Sequence, residues 1–101
     1  MLLRDAIAAL DELPETATLF VRRLSGEFRP ESPAVLLEIS DEELRRPVVE
    51  IAATRAPGTE YFLEVDEAKH FVAGLRQNCP SEYSTLDQIV ARLICYVVND
   101  A

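Results

Sequence analysis

Residues 48–65, VVEIAATRAPGTEYFLEV, decide how many strands the chain contributes to its sheet. Pro57 and Gly58 fit the two central positions of a type II turn, with Gly at the position that requires positive φ. Flanking that turn, residues 48–55 and 60–65 read as the two arms of a hairpin. In extended backbone, alternate side chains share a face. That groups Val49, Ile51 and Ala53 on one arm and Tyr61, Leu63 and Val65 on the other. The first arm has a competing conformation. Pro47 also suits the first position of a helix, and VVEIAATRA can continue helically. The β-branched Val48, Val49, Ile51 and Thr54 favour the strand.

Downstream, residues 66–78, DEAKHFVAGLRQN, predict a helix with Asp66 as its cap and Ala68, Phe71, Val72 and Leu75 as its buried stripe. Residues 85–100, TLDQIVARLICYVVND, predict a second helix. There Leu86, Ile89, Val90, Leu93, Ile94, Val97 and Val98 recur at steps of three and four. They cover about half of the circumference, a broader stripe than a surface helix needs. This helix is therefore expected to be the most buried element, with the rest of the chain packed on it. Ser84 or Thr85, with Asp87 or Gln88 three residues on, forms a capping box at its start. The short connection over residues 79–84 implies that the two helices run antiparallel.

Upstream, Ser40 and Glu43 spell another capping box. Acids fill the first turn and Arg45 and Arg46 the last, as a helix dipole favours, so residues 40–47 read as a short helix. Residues 34–39 and 17–24 read as strands, joined by a loop over 25–33 in which Phe28 and Arg29 are expected to be exposed. Residues 2–12 read as a helix that frays at Asp11 and Glu12 and stops before Pro14. The order α-β-β-(short α)-β-β-α-α gives one α+β domain over residues 1–101. It is a mostly antiparallel sheet of about four strands with helices packed on one face.

Composition narrows the function. The net charge of −8 disfavours a polyanion partner, which needs a positive surface to release counterions. Arg22-Arg23 does not rescue nucleic-acid binding, because consecutive strand residues point to opposite sides. Arg45-Arg46 falls to the helix dipole, and no aromatic–basic interleaving is present. No apolar run approaches the roughly 18 residues of a membrane span, and the first residues lack signal-peptide order. The expectation is a cytoplasmic protein without a membrane or nucleic-acid partner. Nine of its ten bases are Arg, a bias that accompanies GC-rich bacterial genomes.

No catalytic residue, cofactor or metal ligand set is expected. Glu38, Asp41, Glu42 and Glu43 lack the loop spacing and converging oxygens of a hard-cation site. His70, with Asp66 and Glu67 one turn before it, has no third ligand type at a telling spacing and reads as a solvated surface residue. Cys79 and Cys95 fall too far apart along the last helix to be bridged and are expected to be free thiols. The remaining signal is Gly74, a glycine in a helix interior, which costs about 1 kcal/mol against Ala. Such a residue marks either an indifferent exposed site or a close approach of another backbone. His70, Ala73, Gly74 and Gln77 are therefore a possible interaction surface.

Two function classes follow. One is a small acidic non-enzymatic protein-interaction module, accessory or immunity-like, whose partner is itself or another protein. The alternative is a small-molecule-binding protein or small enzyme with a pocket between sheet and helices, drawing on Tyr61, Tyr83, Tyr96, His70 and Cys79.

Overall fold

The computed structural model describes residues 1–99; Asp100, which closes the last predicted helix, lies outside the described residues. Three strands form an antiparallel sheet in the order β2-β1-β3: β1 is Ala17–Val21, β2 Ala34–Glu38 and β3 Glu60–Glu64. Four α-helices accompany it, α1 Leu3–Ala8, α2 Val48–Arg55, α3 Val65–Asn78 and α4 Leu86–Asn99. The protein is thus α+β, with three strands among the described residues instead of about four.

The missing strand is α2. Its buried residues are the neighbours Ile51 and Ala52, and the capping Ala56 is buried one turn after Ala52. On a strand, Ile51 and Ala52 would face opposite ways. They cover Phe20, Leu37, Val35 and Ile39, a second apolar cluster distinct from the main core. This corrects the expectation that helices pack on one face only. Phe20 points to the opposite side of β1 from Leu19 and Val21, and an uncovered sheet face there would leave its ring in water. The backbone supports the helix as well. The Pro47 carbonyl accepts from the Glu50 and Ile51 N–H groups, and Arg55 Nη1 reaches the Glu38 carbonyl at 2.8 Å and Glu43 Oε1 at 2.9 Å. The Pro57-Gly58 turn forms as read. Gly58 sits at φ +84° and Thr59 N–H closes on the Ala56 carbonyl at 3.1 Å. It joins a helix to a strand and not two strands.

β3 is irregular. Leu19 faces Leu63 and Phe20 faces Tyr61, so Phe62 is an extra residue without a partner on β1. The bulge turns two consecutive side chains, Phe62 and Leu63, into the main core. Tyr61 stays on the other side, with its ring edge-on to Phe20 at 6.1 Å. The expected sharing of one face by Tyr61, Leu63 and Val65 therefore fails at Tyr61.

The main core is built by α1, α3 and α4 against Leu19, Val21, Phe62 and Leu63. In α4, Ile89, Val90 and Leu93 are buried, while Ile94 and Val97 are half-buried and Val98 is exposed. The organising element is β1, all five of whose residues are buried, and not α4. α3 and α4 are antiparallel: Glu67 meets Tyr96, while one turn further along α3 Phe71 meets Arg92, one turn earlier on α4.

Local signals held at several ends. Gln88 Oε1 accepts from Ser84 and Thr85 N–H at 3.1 Å, and Thr85 Oγ1 accepts from Gln88 N–H at 3.3 Å. Ser40 and Glu43 bond reciprocally, each N–H donating to the other's side chain at 3.2 Å, and open a 3-10 turn at Glu43–Arg45. Asp66 does not cap α3, which runs straight out of β3 and begins at Val65. The helix expected over residues 2–12 breaks at Ala9 into α1 and a 3-10 turn, Leu10–Glu12. Lys69 Nζ then takes the free Leu13 carbonyl at 2.8 Å. Phe28 is 7% exposed, against the expectation for its loop. It packs edge-on against Phe62 at 5.2 Å, with the Arg23 guanidinium 4.2 Å above its ring. Ser25 and Gly26, both at positive φ, make the tight turn that brings it there.

Candidate interaction surfaces

α3 carries the four residues singled out by the sequence. His70, Ala73 and Gln77 are exposed and Gly74 is half-buried. His70 Nδ1 stands 3.7 Å from Asp66 Oδ1, one turn earlier. A Cβ built on Gly74 meets no atom within 4 Å. Among the described residues no other element approaches it, so close packing within the described fold does not account for this glycine. Gly74→Ala is therefore expected to raise the unfolding free energy by about 1 kcal/mol, as helix propensity alone dictates. Urea denaturation measures this, and a loss of stability would mean that the glycine is held by a contact.

The other chemistry-bearing residues do not converge. Glu43 is absorbed by its cap. The Ser40 N–H, aided by the Arg55 guanidinium, holds its carboxyl below the ordinary carboxylate value. Among the described residues no group of three His, Cys, Asp or Glu stands close enough to hold a metal ion. Cys79 is half-buried and Cys95 exposed, both as free thiols. Asn99 Nδ2 donates to the Cys95 carbonyl at 3.0 Å and to its Sγ at 3.4 Å. Tyr83 lines a depression with Arg76 and Pro80, Tyr61 lines a different one, and Tyr96 is stacked on Phe71 at 4.5 Å. Arg23 is committed to Glu60 at 2.7 Å, and Arg22 lies against Gly58.

A different surface emerges where α2 meets β3. Leu44, Val48, Val49 and Tyr61 are large apolar side chains left exposed, Val49 at 79%. Val48, Val49, Ala52 and Ala53 form one wall of a groove of 380 Å³, and Thr59, Glu60 and Tyr61 form the other. Neither Val48 nor Val49, in the first turn of α2, joins the apolar cluster that Ile51 and Ala52 make with the sheet. Burial, reinforced by the carboxylates of Glu64 and Glu67, raises the Tyr61 phenol above its ordinary value. A separate depression of 330 Å³ is lined by Leu44 together with Glu15, Glu64 and Asp66. The strand assignment hid this surface, since it placed Val49 on a face shared with Ile51. The signal was the helical alternative that Pro47 offered. No helix is long and apolar enough among the described residues to cross a membrane. No family model, no curated protein and no solved structure matches this chain.

Proposed function

We propose that this chain is a non-enzymatic protein-interaction module of the accessory kind, and that it meets its partner through the face made by α2 and the adjoining part of β3. The observation that carries the proposal is the exposed apolar group Val48, Val49 and Tyr61 around one groove. Valine gains nothing from exposure at the start of a helix, where it lowers propensity, and contiguous exposed apolar surface marks interaction sites. The polar groups that an enzyme or small-molecule site would gather are dispersed over separate surfaces. Two unbridged thiols, one of them exposed, fit a reducing, cytoplasmic compartment. The net charge of −8 supports a protein partner over nucleic acid.

The α3 face of His70, Ala73, Gly74 and Gln77 is a second contact candidate, favoured by the open space around Gly74. A quantitative pull-down from the native cell separates the two. Val49→Asp adds a charge to an exposed helix position and leaves both apolar clusters intact. It is expected to lower recovery of the specifically retained protein at least about tenfold, as loss of an interface anchor does. Gly74→Glu does the same only if α3 carries the contact. Undiminished recovery with Val49→Asp, while circular dichroism reports an intact fold, would sink the α2 assignment.

A further inference from the structure

We infer that the partner binds by strand addition: a short extended segment pairs with the free edge of β3, seats apolar side chains in the α2 groove, and carries basic residues at the end that lies by Glu64. This rests on the interaction reading above and specifies its mode.

The sheet has two edges and they differ. Along β2 the edge is partly covered by the chain's own start, with Ala34 N–H donating to the Met1 carbonyl at 2.7 Å and a bridge between Leu2 and Pro33. β3 pairs with β1 alone, and no strand lies on its outer side among the described residues. An unpaired edge is a template for another extended chain. The groove runs beside this edge, between Tyr61 and the outward wall of α2. Alternate side chains of an added strand would fall on that side of the sheet. The bulge at Phe62 bends β3 and limits the regular pairing, so the added segment is short.

Charge gives the occupant its chemistry. At the Gly58 end of the groove, Glu60 is neutralised by Arg23, and Arg22 stands beside the turn. At the other end of β3, Glu64 lines a separate depression with Glu15 and Asp66. None of these three has Lys or Arg within 4.0 Å among the described residues, and Asp66 has only His70, at 3.7 Å. Glu67 adds to the negative field felt at Tyr61. Lysine or arginine on the added segment would meet these carboxylates, and acids there would be repelled. A second copy of β3, EYFLE, brings two acids and no base, which argues against self-pairing.

The test uses a library of random dodecapeptides displayed on phage and selected on the immobilised full chain. Selected peptides are expected to alternate apolar residues and to carry Lys or Arg at one end. A synthetic version should slow amide hydrogen exchange at residues 60–64, and a central proline should abolish its binding. Glu64→Lys is expected to weaken that peptide about tenfold and to shift selection toward acid-ended sequences. Peptides that bind without slowing exchange at 60–64, or that ignore Glu64→Lys, overturn strand addition, as does a selection that yields none. The interaction reading stands or falls separately, on the Val49→Asp pull-down. If that variant loses the retained protein while exchange at 60–64 is unchanged by the selected peptide, the face is correct and the mode is wrong.

Discussion

Phe62→Ala is expected to lower the unfolding free energy by about 3–5 kcal/mol, the range for deleting a buried aromatic ring. Phe62 is 1% exposed and is the extra residue of the β3 bulge. Its ring fills the main core on one side and meets Phe28 edge-on at 5.2 Å on the other. Removing it opens a cavity and also strips the loop over residues 25–33 of its anchor. Part of that loop's order therefore goes with the ring. For a domain of this size, whose total stability is of the order of 5–15 kcal/mol, such a loss is a large share. Urea denaturation followed by circular dichroism measures it. A loss below about 1 kcal/mol would mean that the bulge does not hold Phe62 in the core.

Leu93→Ala tests the other side of the same core. Leu93 is 0% exposed, on α4 in the main core. The expected loss is about 2–5 kcal/mol, the transfer term plus the cavity left behind. The internal control is Val98→Ala one turn and a half further on the same helix. Val98 is 55% exposed, so its truncation should stay within about 0.5 kcal/mol. Equal effects at both positions would mean that α4 buries a broader face than described. A negligible effect at Leu93 would make α4 peripheral.

The contrast between Leu93 and Val98 shows why periodicity alone misjudged α4. Its seven apolar positions were real, but burial depends on what lies opposite, and only Ile89, Val90 and Leu93 are fully taken into the main core. Features set by neighbours within one turn were open to the sequence. The Ser40–Glu43 and Thr85–Gln88 caps are bonds between residues three apart, and the Pro57-Gly58 turn depends on one residue that tolerates positive φ. β1, β2 and the long helices follow from period and composition in the same local way. The α+β class follows from their order.

Residues 48–55 obeyed a different rule. Their β-branched content favours extended backbone by a small amount per residue, and Pro47 permits a helix. The balance was tipped by Phe20, Val35, Leu37 and Ile39, distant in sequence, which need an apolar cover that one helix provides through Ile51, Ala52 and Ala56. The bulge at Phe62 and the burial of Phe28 likewise each need the other, across more than thirty residues of chain. The candidate contact surface inherits that dependence. Val48 and Val49 are left to solvent in the first turn of α2 while Ile51 and Ala52, further along, cover the sheet, and Tyr61 lines the groove with them because the bulge separates it from Leu63. Local chemistry sets which elements can form and where they end. Which faces are left to solvent is decided by hydrophobic burial summed over the whole tertiary structure, and no short window of sequence contains that sum.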